Sequence, residues 1–341
     1  MQDALSKRQD TRRSQESSLA QSSFANAATS QKVAVIIPAY KVTAQICDLI
    51  DRIGDGVDAI YVVDDCCPDG SGKLVKEKIS DPRVSVLYTE ENSGVGGAVI
   101  TGFLRAQADG MNIGVKLDGD GQMDPSIIHK FVAPIITGNA DYTKGNRFFT
   151  PRNLGAMPPG RIFGNAILSF VSKFSTGYWN LFDPTNGYIA LNLSLLEYLS
   201  LEQVDKRYFF ETDMLFRCNL IRAKVVDVPM LAIYEGEKSN LKAGREAFRF
   251  VGGHSKNFVK RIAYNYFFRD FNIGSIELVL GFFAIVFGVA YGLIHLGGPE
   301  VDSAGTVMMA ALPTIIGVFL LVSFLNFDVQ QTPRESIARF L

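Results

Sequence analysis

The chain has 341 residues, 47% of them hydrophobic and 20% charged, and a net charge of −1. That length allows one large domain or two, and the near-neutral balance argues against a nucleic-acid protein, which normally carries a basic excess. A mean hydropathy of +0.12 is high for a soluble enzyme, and the apolar content is concentrated: from Ile276 to Phe327 the charges are Glu277, Glu300 and Asp302 alone. A fully soluble chain and a transporter of many spans are both disfavoured. Cys47, Cys66, Cys67 and Cys218 form no CxxC pair. With few histidines near them they read as reduced thiols, not as a zinc site.

Residues 1–31 are rich in Ser, Gln and Ala without an apolar period, which predicts a disordered tail, and they lack the apolar core of a secretory signal. From Lys32 the pattern changes. Val33–Pro38 is a β-branched run ending at proline and predicts a buried parallel strand. A helix is expected near Ala44–Arg52, a strand over Ala59–Val63 ending at Asp64-Asp65, a helix over Leu74–Ile79 and a strand over Val84–Tyr88. Asn92–Gly97 then leads into a helix from Ala98 to Ala108, and a strand over Ile113–Leu117 ends at Asp118-Gly119-Asp120. This alternation predicts a doubly wound α/β domain, whose ligands sit beyond the carboxyl ends of the strands.

Beyond Phe149 the alternation weakens. An apolar-aromatic stretch runs from Arg161 to Phe182 and reads either as core or as an interfacial element; residues 211–222 predict a helix and 225–234 a strand. Residues 238–270 carry eight Lys/Arg against Glu246 and Asp270, interleaved with aromatics. That predicts a juxtamembrane platform for anionic lipids. Two apolar segments follow, Ile276–Leu296 and Gly305–Phe327, each long enough to cross a bilayer. Lys and Arg flank the pair while the connecting loop has none, so the positive-inside tendency puts both ends in the cytoplasm. Ala284, Gly288 and Gly292 share one face of the first span, a pattern that serves packing within the hairpin or self-association into a homo-oligomer. The expected divisions are therefore a tail (1–31), an α/β domain (32–237), a basic-aromatic region (238–274), a transmembrane hairpin (275–328) and a cytoplasmic C-terminal tail (329–341).

The chemistry centres on Leu117–Gln122. Alternate residues of an extended chain point the same way, so Asp118 and Asp120 can converge on one hard cation, with Gln122 adding a neutral oxygen. Mg²⁺ or Mn²⁺ held like this normally takes phosphate oxygens in its remaining positions. An EF-hand is excluded, because Met123 and His129 stand where its glycine and glutamate belong. The glycine run at Gly94 lacks the GxGxxG frame of a dinucleotide fingerprint, Val99 replacing a required glycine. It reads instead as a helix-capping turn that supports a nucleotide.

The strings VAVIIPAY (Val33–Tyr40), Asp64-Asp65, NSGVGGA (Asn92–Ala98) and LDGDGQ (Leu117–Gln122) stand in the order of inverting family 2 glycosyltransferases with the GT-A fold. With KGNRF (Lys144–Phe148), Arg161 and Asn165, DPTNGY (Asp183–Tyr188), FETDM (Phe210–Met214) and two C-terminal spans, the chain resembles the polyprenyl-phosphate glycosyltransferases, relatives of dolichol-phosphate mannose synthase. Among these it is most similar to the GtrB type, which moves glucose from UDP-glucose onto undecaprenyl phosphate in the inner (plasma) membrane.

The resemblance implies that Pro38, Ala39 and Tyr40 line the nucleotide pocket, that Asp65 contacts the base with Asp64 beside it, and that Asp118, Asp120 and Gln122 hold the metal on the donor diphosphate. It further implies phosphate binding by Arg147 and Arg161, and sugar contacts by Asp183, Glu211 and Asp213. Lys41-Val42 replaces the usual Asn-Glu, and Lys238 or Lys242 stands in for an arginine of the dolichol-type relatives. The competing readings are a processive polysaccharide synthase and a non-catalytic nucleotide-sugar-binding membrane scaffold. The chain has no QxxRW motif, its single tryptophan being Trp179.

Overall fold

The computed structural model describes residues 31–149, 159–231, 243–295 and 303–341. The chain divides into two compact units. One draws on Met1–Ser169, Leu181–Lys242 and Arg334–Leu341, the other on Phe170–Asn180 and Ala243–Pro333.

The first unit is built on a mixed sheet. Its strands are β1 (Val33–Ala39), β2 (Ala59–Asp64), β3 (Val84–Tyr88), β4 (Ile113–Lys116), β5 (Tyr142–Asn146), β6 (Ile189–Asn192) and β7 (Val225–Pro229), in the order β3-β2-β1-β4-β6-β5-β7. β1 pairs in parallel with β2 and β4, and β2 with β3. Val33, Val35, Ile37, Val62 and Val115 belong to one buried cluster, which is why these strands read as continuous β-branched runs. β6 differs from the expected parallel pattern: it runs antiparallel to both β4 and β5. The helices between strands are α1 (Ile46–Asp51), α2 (Ser71–Lys78), α3 (Val95–Ala108), α4 (Ile128–Ile136), α5 (Pro159–Thr176) and α6 (Phe210–Leu220). β2 and β4 lie on opposite sides of β1, so the strand order reverses at the β1–β4 pair. That is the switch point where open sheets of this kind form a crevice.

Residues beyond the second apolar helix return to this unit. The fully buried carboxylate of Asp141 accepts bonds from Ser336 Oγ (2.5 Å) and from the amides of Ile337 (2.9 Å) and Ala338 (2.9 Å), as well as from Lys224 N (2.7 Å). Arg334–Leu341 is therefore clasped to the sheet unit.

The second unit is helical. It contains α7 (Ala243–Ala263), a π-helical turn (Tyr264–Phe268), α8 (Ile273–His295) and α9 (Ala304–Gln330). α8 and α9 have 23 and 27 residues and are apolar enough to cross a membrane; at 1.5 Å per residue they extend for about 34 and 40 Å. They pack on each other through small residues. A Cβ added at Gly288 would lie 2.6 Å from the Ala310 carbonyl, and one at Gly281 3.1 Å from that of Gly317. The small-residue face of the first span is thus used inside the hairpin at Gly288.

A buried charge network organises this unit. Arg261 donates to Asp328 through Nη1 (2.6 Å) and Nη2 (3.0 Å), while Tyr266 Oη (2.6 Å) and Trp179 Nε1 (2.9 Å) complete the carboxylate's partners. Arg261, one of the cations in the sequence's basic belt, is only 2% exposed. Lys256 and Lys260 are exposed, as are Phe258, Phe268 and Phe271. Lys238 and Lys242 lie outside the described residues.

Candidate active site at the switch point of the sheet

A cavity of about 360 Å³ opens beyond β1 and β4. Pro38, Ala39 and Tyr40 line it from the end of β1, and Asp118, Gly119 and Asp120 from the end of β4. Asp65 and Gly94 join them, so seven residues expected at the nucleotide or metal share one wall system: Pro38, Ala39, Tyr40, Asp65, Gly94, Asp118 and Asp120.

Asp65 organises the glycine loop. Its Oδ1 accepts from Thr89 Oγ1 (3.0 Å), Ser93 N (2.8 Å) and Ser93 Oγ (2.8 Å), and its Oδ2 from Gly94 N (2.8 Å). Gly94 has φ +83°, and a Cβ there would collide with the Lys206 carbonyl. Only glycine fits this turn. Asp64 faces inward instead, accepting from Cys67 N (2.7 Å) and Gly72 N (2.6 Å), and so secures the start of α2.

The acidic motif is held from beneath by a residue the sequence reading passes over. Lys116, 1% exposed, places Nζ 2.8 Å from Asp118 Oδ1 and 3.0 Å from Glu211 Oε1. Burial works against the ammonium, but the two carboxylates outweigh it and raise its pKa above the usual lysine value. A cation at 116 and a carboxylate at 118 share a strand face; a lysine inside an apolar strand two residues before Asp118 is the signal that marks it. Gly187 closes over the pair, since a Cβ there would lie 2.5 Å from Lys116 Nζ.

Gln122 contributes its backbone amide to Asp120 Oδ1 at 3.0 Å. The donor set of Asp118, Asp120 and Gln122 is all oxygen, and the two carboxylates share the cavity wall, which suits a hard divalent cation that keeps positions for phosphate. Among the described residues no group of three or more His, Cys, Asp or Glu gathers as a metal cage.

The other expected residues form neighbouring clusters. Arg147 makes a two-pronged pair with Asp183, Nε to Oδ2 and Nη2 to Oδ1, both at 2.7 Å. Burial raises the Asp183 pKa, but bonding and charge from Arg147 more than reverse this and hold it below the ordinary carboxylate value. Asp183 also has φ +55°, a left-handed conformation that Asp tolerates better than most residues. Asp213 accepts from Arg217 Nε (3.2 Å) and from Asp205 N (3.0 Å). The side chain of Arg161 lies outside the described residues. Arg207 and Tyr208 also line the cavity, and no motif in the sequence points to either.

A nucleotide-sized crevice at the switch point of a mixed α/β sheet, walled by an Asp-x-Asp turn, defines a GT-A glycosyltransferase. Residues 34–199 match the glycosyl transferase family 2 domain. The chain is 32% identical over 214 residues to a UDP-N-acetylglucosamine–dolichyl-phosphate N-acetylglucosaminyltransferase of Methanococcus voltae, covering 59% of this chain and 85% of that protein. It is 30% identical to an undecaprenyl-phosphate mannosyltransferase of Micrococcus luteus, covering 58% and 82% of the two chains. The same identity relates it to a polyprenol monophosphomannose synthase of Mycolicibacterium smegmatis, covering 59% and 77%. Among solved structures, glucosyl-3-phosphoglycerate synthase of Mycobacterium tuberculosis in complex with UDP superposes with a TM-score of 0.53 at 18% identity, covering 69% of this chain and 83% of that one. The chain belongs to glycosyl transferase family 2.

Proposed function

We propose that the protein is a membrane-bound, inverting hexosyltransferase that moves glucose from UDP-glucose onto a polyprenyl phosphate such as undecaprenyl phosphate. The observation that carries this reading is the pairing, in one chain, of the Asp118–Asp120 cavity with two helices long and apolar enough to cross a membrane. The relatives whose names specify lipid phosphates support the acceptor class. Residues 32–237 form the GT-A domain, 238–274 the juxtamembrane region and 275–328 the transmembrane hairpin. The catalytic domain and both termini are placed on the cytoplasmic side of the plasma membrane.

Pro38, Ala39 and Tyr40 hold the nucleoside with Asp65. Asp118, Asp120 and Gln122 would hold Mg²⁺ or Mn²⁺, which would supply charge neutralisation on the departing diphosphate. The acceptor needs no strong base, because a phosphate monoester is largely ionised near pH 7. Its oxygen attacks the anomeric carbon opposite the diphosphate. The new C–O bond forms as the bond to the diphosphate oxygen breaks, and the electron pair leaves with UDP, inverting α to β. Arg147 and Arg161, with Lys238 or Lys242, guide the acceptor phosphate by charge-assisted bonding. Asp183, Glu211 and Asp213 position the sugar: Asp183 through Arg147, Glu211 from beside Lys116, and Asp213 through the turn at Asp205.

Exposed Phe163, Ile167 and Phe170 on α5, opposite buried Ser169, Ser172 and Ser175, favour the interfacial reading of that helix. Exposed Lys256 and Lys260, amid aromatics, favour contact with anionic head groups. The test is a donor screen with purified protein, polyprenyl phosphate and Mg²⁺ or Mn²⁺, using UDP-glucose, UDP-N-acetylglucosamine and GDP-mannose. Label in the solvent-extractable lipid from UDP-glucose alone is expected. Label from another donor would correct the sugar, and label in a water-soluble polymer would favour a processive synthase.

A further inference from the structure

We infer that Arg207 is the protein's own cationic contact to the donor diphosphate, acting on the nucleotide side of the cavity and not on the acceptor; this rests on the donor reading above. Among the described residues lining the cavity, Arg207 is the one Lys or Arg, and Asp65, Asp118 and Asp120 line it too. A nucleoside diphosphate brings at least two further negative charges into that space. Asp118 is countered by Lys116 from below, and Asp65 is bonded to the glycine loop. Arg147 does not line the cavity and is closed on Asp183. Arg207 is therefore the guanidinium in place for a phosphate that enters here.

The turn carrying Arg207 is locked to the nucleotide wall. The Lys206 carbonyl accepts Gly96 N at 3.0 Å, and the Arg207 Cγ lies where a Cβ at Gly94 would come within 3.0 Å. Asp205 Oδ1 accepts Arg207 N at 2.8 Å, and buried Asp213 in turn accepts Asp205 N at 3.0 Å. The φ of +83° at Gly94, which glycine adopts without strain, thus lets the Arg207 stem pass directly beside the loop that Asp65 holds. A guanidinium offers a planar fork suited to phosphate oxygens, and a charged hydrogen bond of this kind contributes enough for roughly a tenfold to hundredfold difference in affinity.

The experiment is a binding titration of UDP, GDP and uridine to the detergent-solubilised full chain in EDTA, for wild type, Arg207→Met and Arg207→Lys, with thermal melts of each. Wild type is expected to bind UDP more tightly than uridine. Arg207→Met should lose about tenfold or more of UDP affinity with uridine binding unchanged, and Arg207→Lys should recover part of the loss. In turnover, KM for the nucleotide sugar should rise while KM for polyprenyl phosphate stays put. UDP affinity unchanged in Arg207→Met, or a rise confined to the KM of the lipid phosphate, overturns the inference alone. Wild type that binds neither UDP nor GDP overturns the donor reading along with it. Arg207 is exposed, so its replacement leaves the fold intact and a shifted melt of several degrees would count against a ligand role.

Discussion

Lys116 and Asp118, two residues apart at the end of one strand, form an ion pair of 2.8 Å in which the lysine is wholly buried and the carboxylate reaches the cavity. The same ammonium meets Glu211, 95 residues away, at 3.0 Å. Lys116→Met would leave two carboxylates facing each other without a cation. Breaking a buried pair in this way costs on the order of 3–5 kcal/mol, so a large fall in melting temperature and loss of transfer are expected. Adding Glu211→Gln should restore much of the stability but not the activity. A Lys116→Met protein with wild-type melting and turnover would remove Lys116 from the site.

Asp120→Ala should abolish transfer, by more than about a hundredfold given the several kcal/mol a divalent ion supplies to such a reaction. The protein should still fold and insert, since Asp120 stands at a turn at the mouth of the cavity. Transfer in a metal-defined assay, alongside gel filtration in detergent, separates the two effects. Wild-type activity in the variant would exclude the metal role.

Asp328→Asn should destabilise the helical unit by on the order of 3–5 kcal/mol, because it strips Arg261 of its charged partner in a dry setting. A paired Arg261→Met/Asp328→Leu chain should recover much of that loss. Chemical denaturation in detergent measures both. Equal stability of Asp328→Asn and wild type would show that the network contributes nothing.

His254 is buried with Nδ1 2.7 Å from Ser175 Oγ, and burial pushes its pKa down to about 4. The fold therefore holds the neutral ring. Above an unfolded pKa of about 6.5 both states are neutral. As pH falls below that, the unfolded chain binds a proton that the folded one refuses, and stability declines until pH approaches 4. Melting temperature should drop across this window, and His254→Gln should flatten the decline. An unchanged slope in the variant would assign the acid sensitivity elsewhere.

The parallel half of the sheet was legible because its strands are buried on both faces and end at polar turns, as Val33–Ala39 and Ala59–Asp64 do. β5 (YTKGN) and β6 (IALN) are short, and β5 carries a lysine inside the sheet. Its Lys144 is accommodated by Asp227 at 2.9 Å, a partner 83 residues away. No local pattern announces such a strand, and the antiparallel sense of β6 is fixed by pairing alone. The acidic motif was legible because its chemistry is local. Lys116 carries a local cue in its spacing from Asp118, but its second partner Glu211 and the whole setting of Arg207 come from residues that only the fold brings near.

The clasp at Asp141 has a consequence for the order of events during synthesis. The sheet unit is interrupted by the helical one and is finished by Ser336, Ile337 and Ala338, which close on Asp141. A ribosome delivers those residues only after both apolar helices have emerged. The sheet unit therefore reaches its full complement of bonds last, once the helical unit has been made, and a chain stalled at Pro333 should expose the Asp141 region to protease where the whole chain does not.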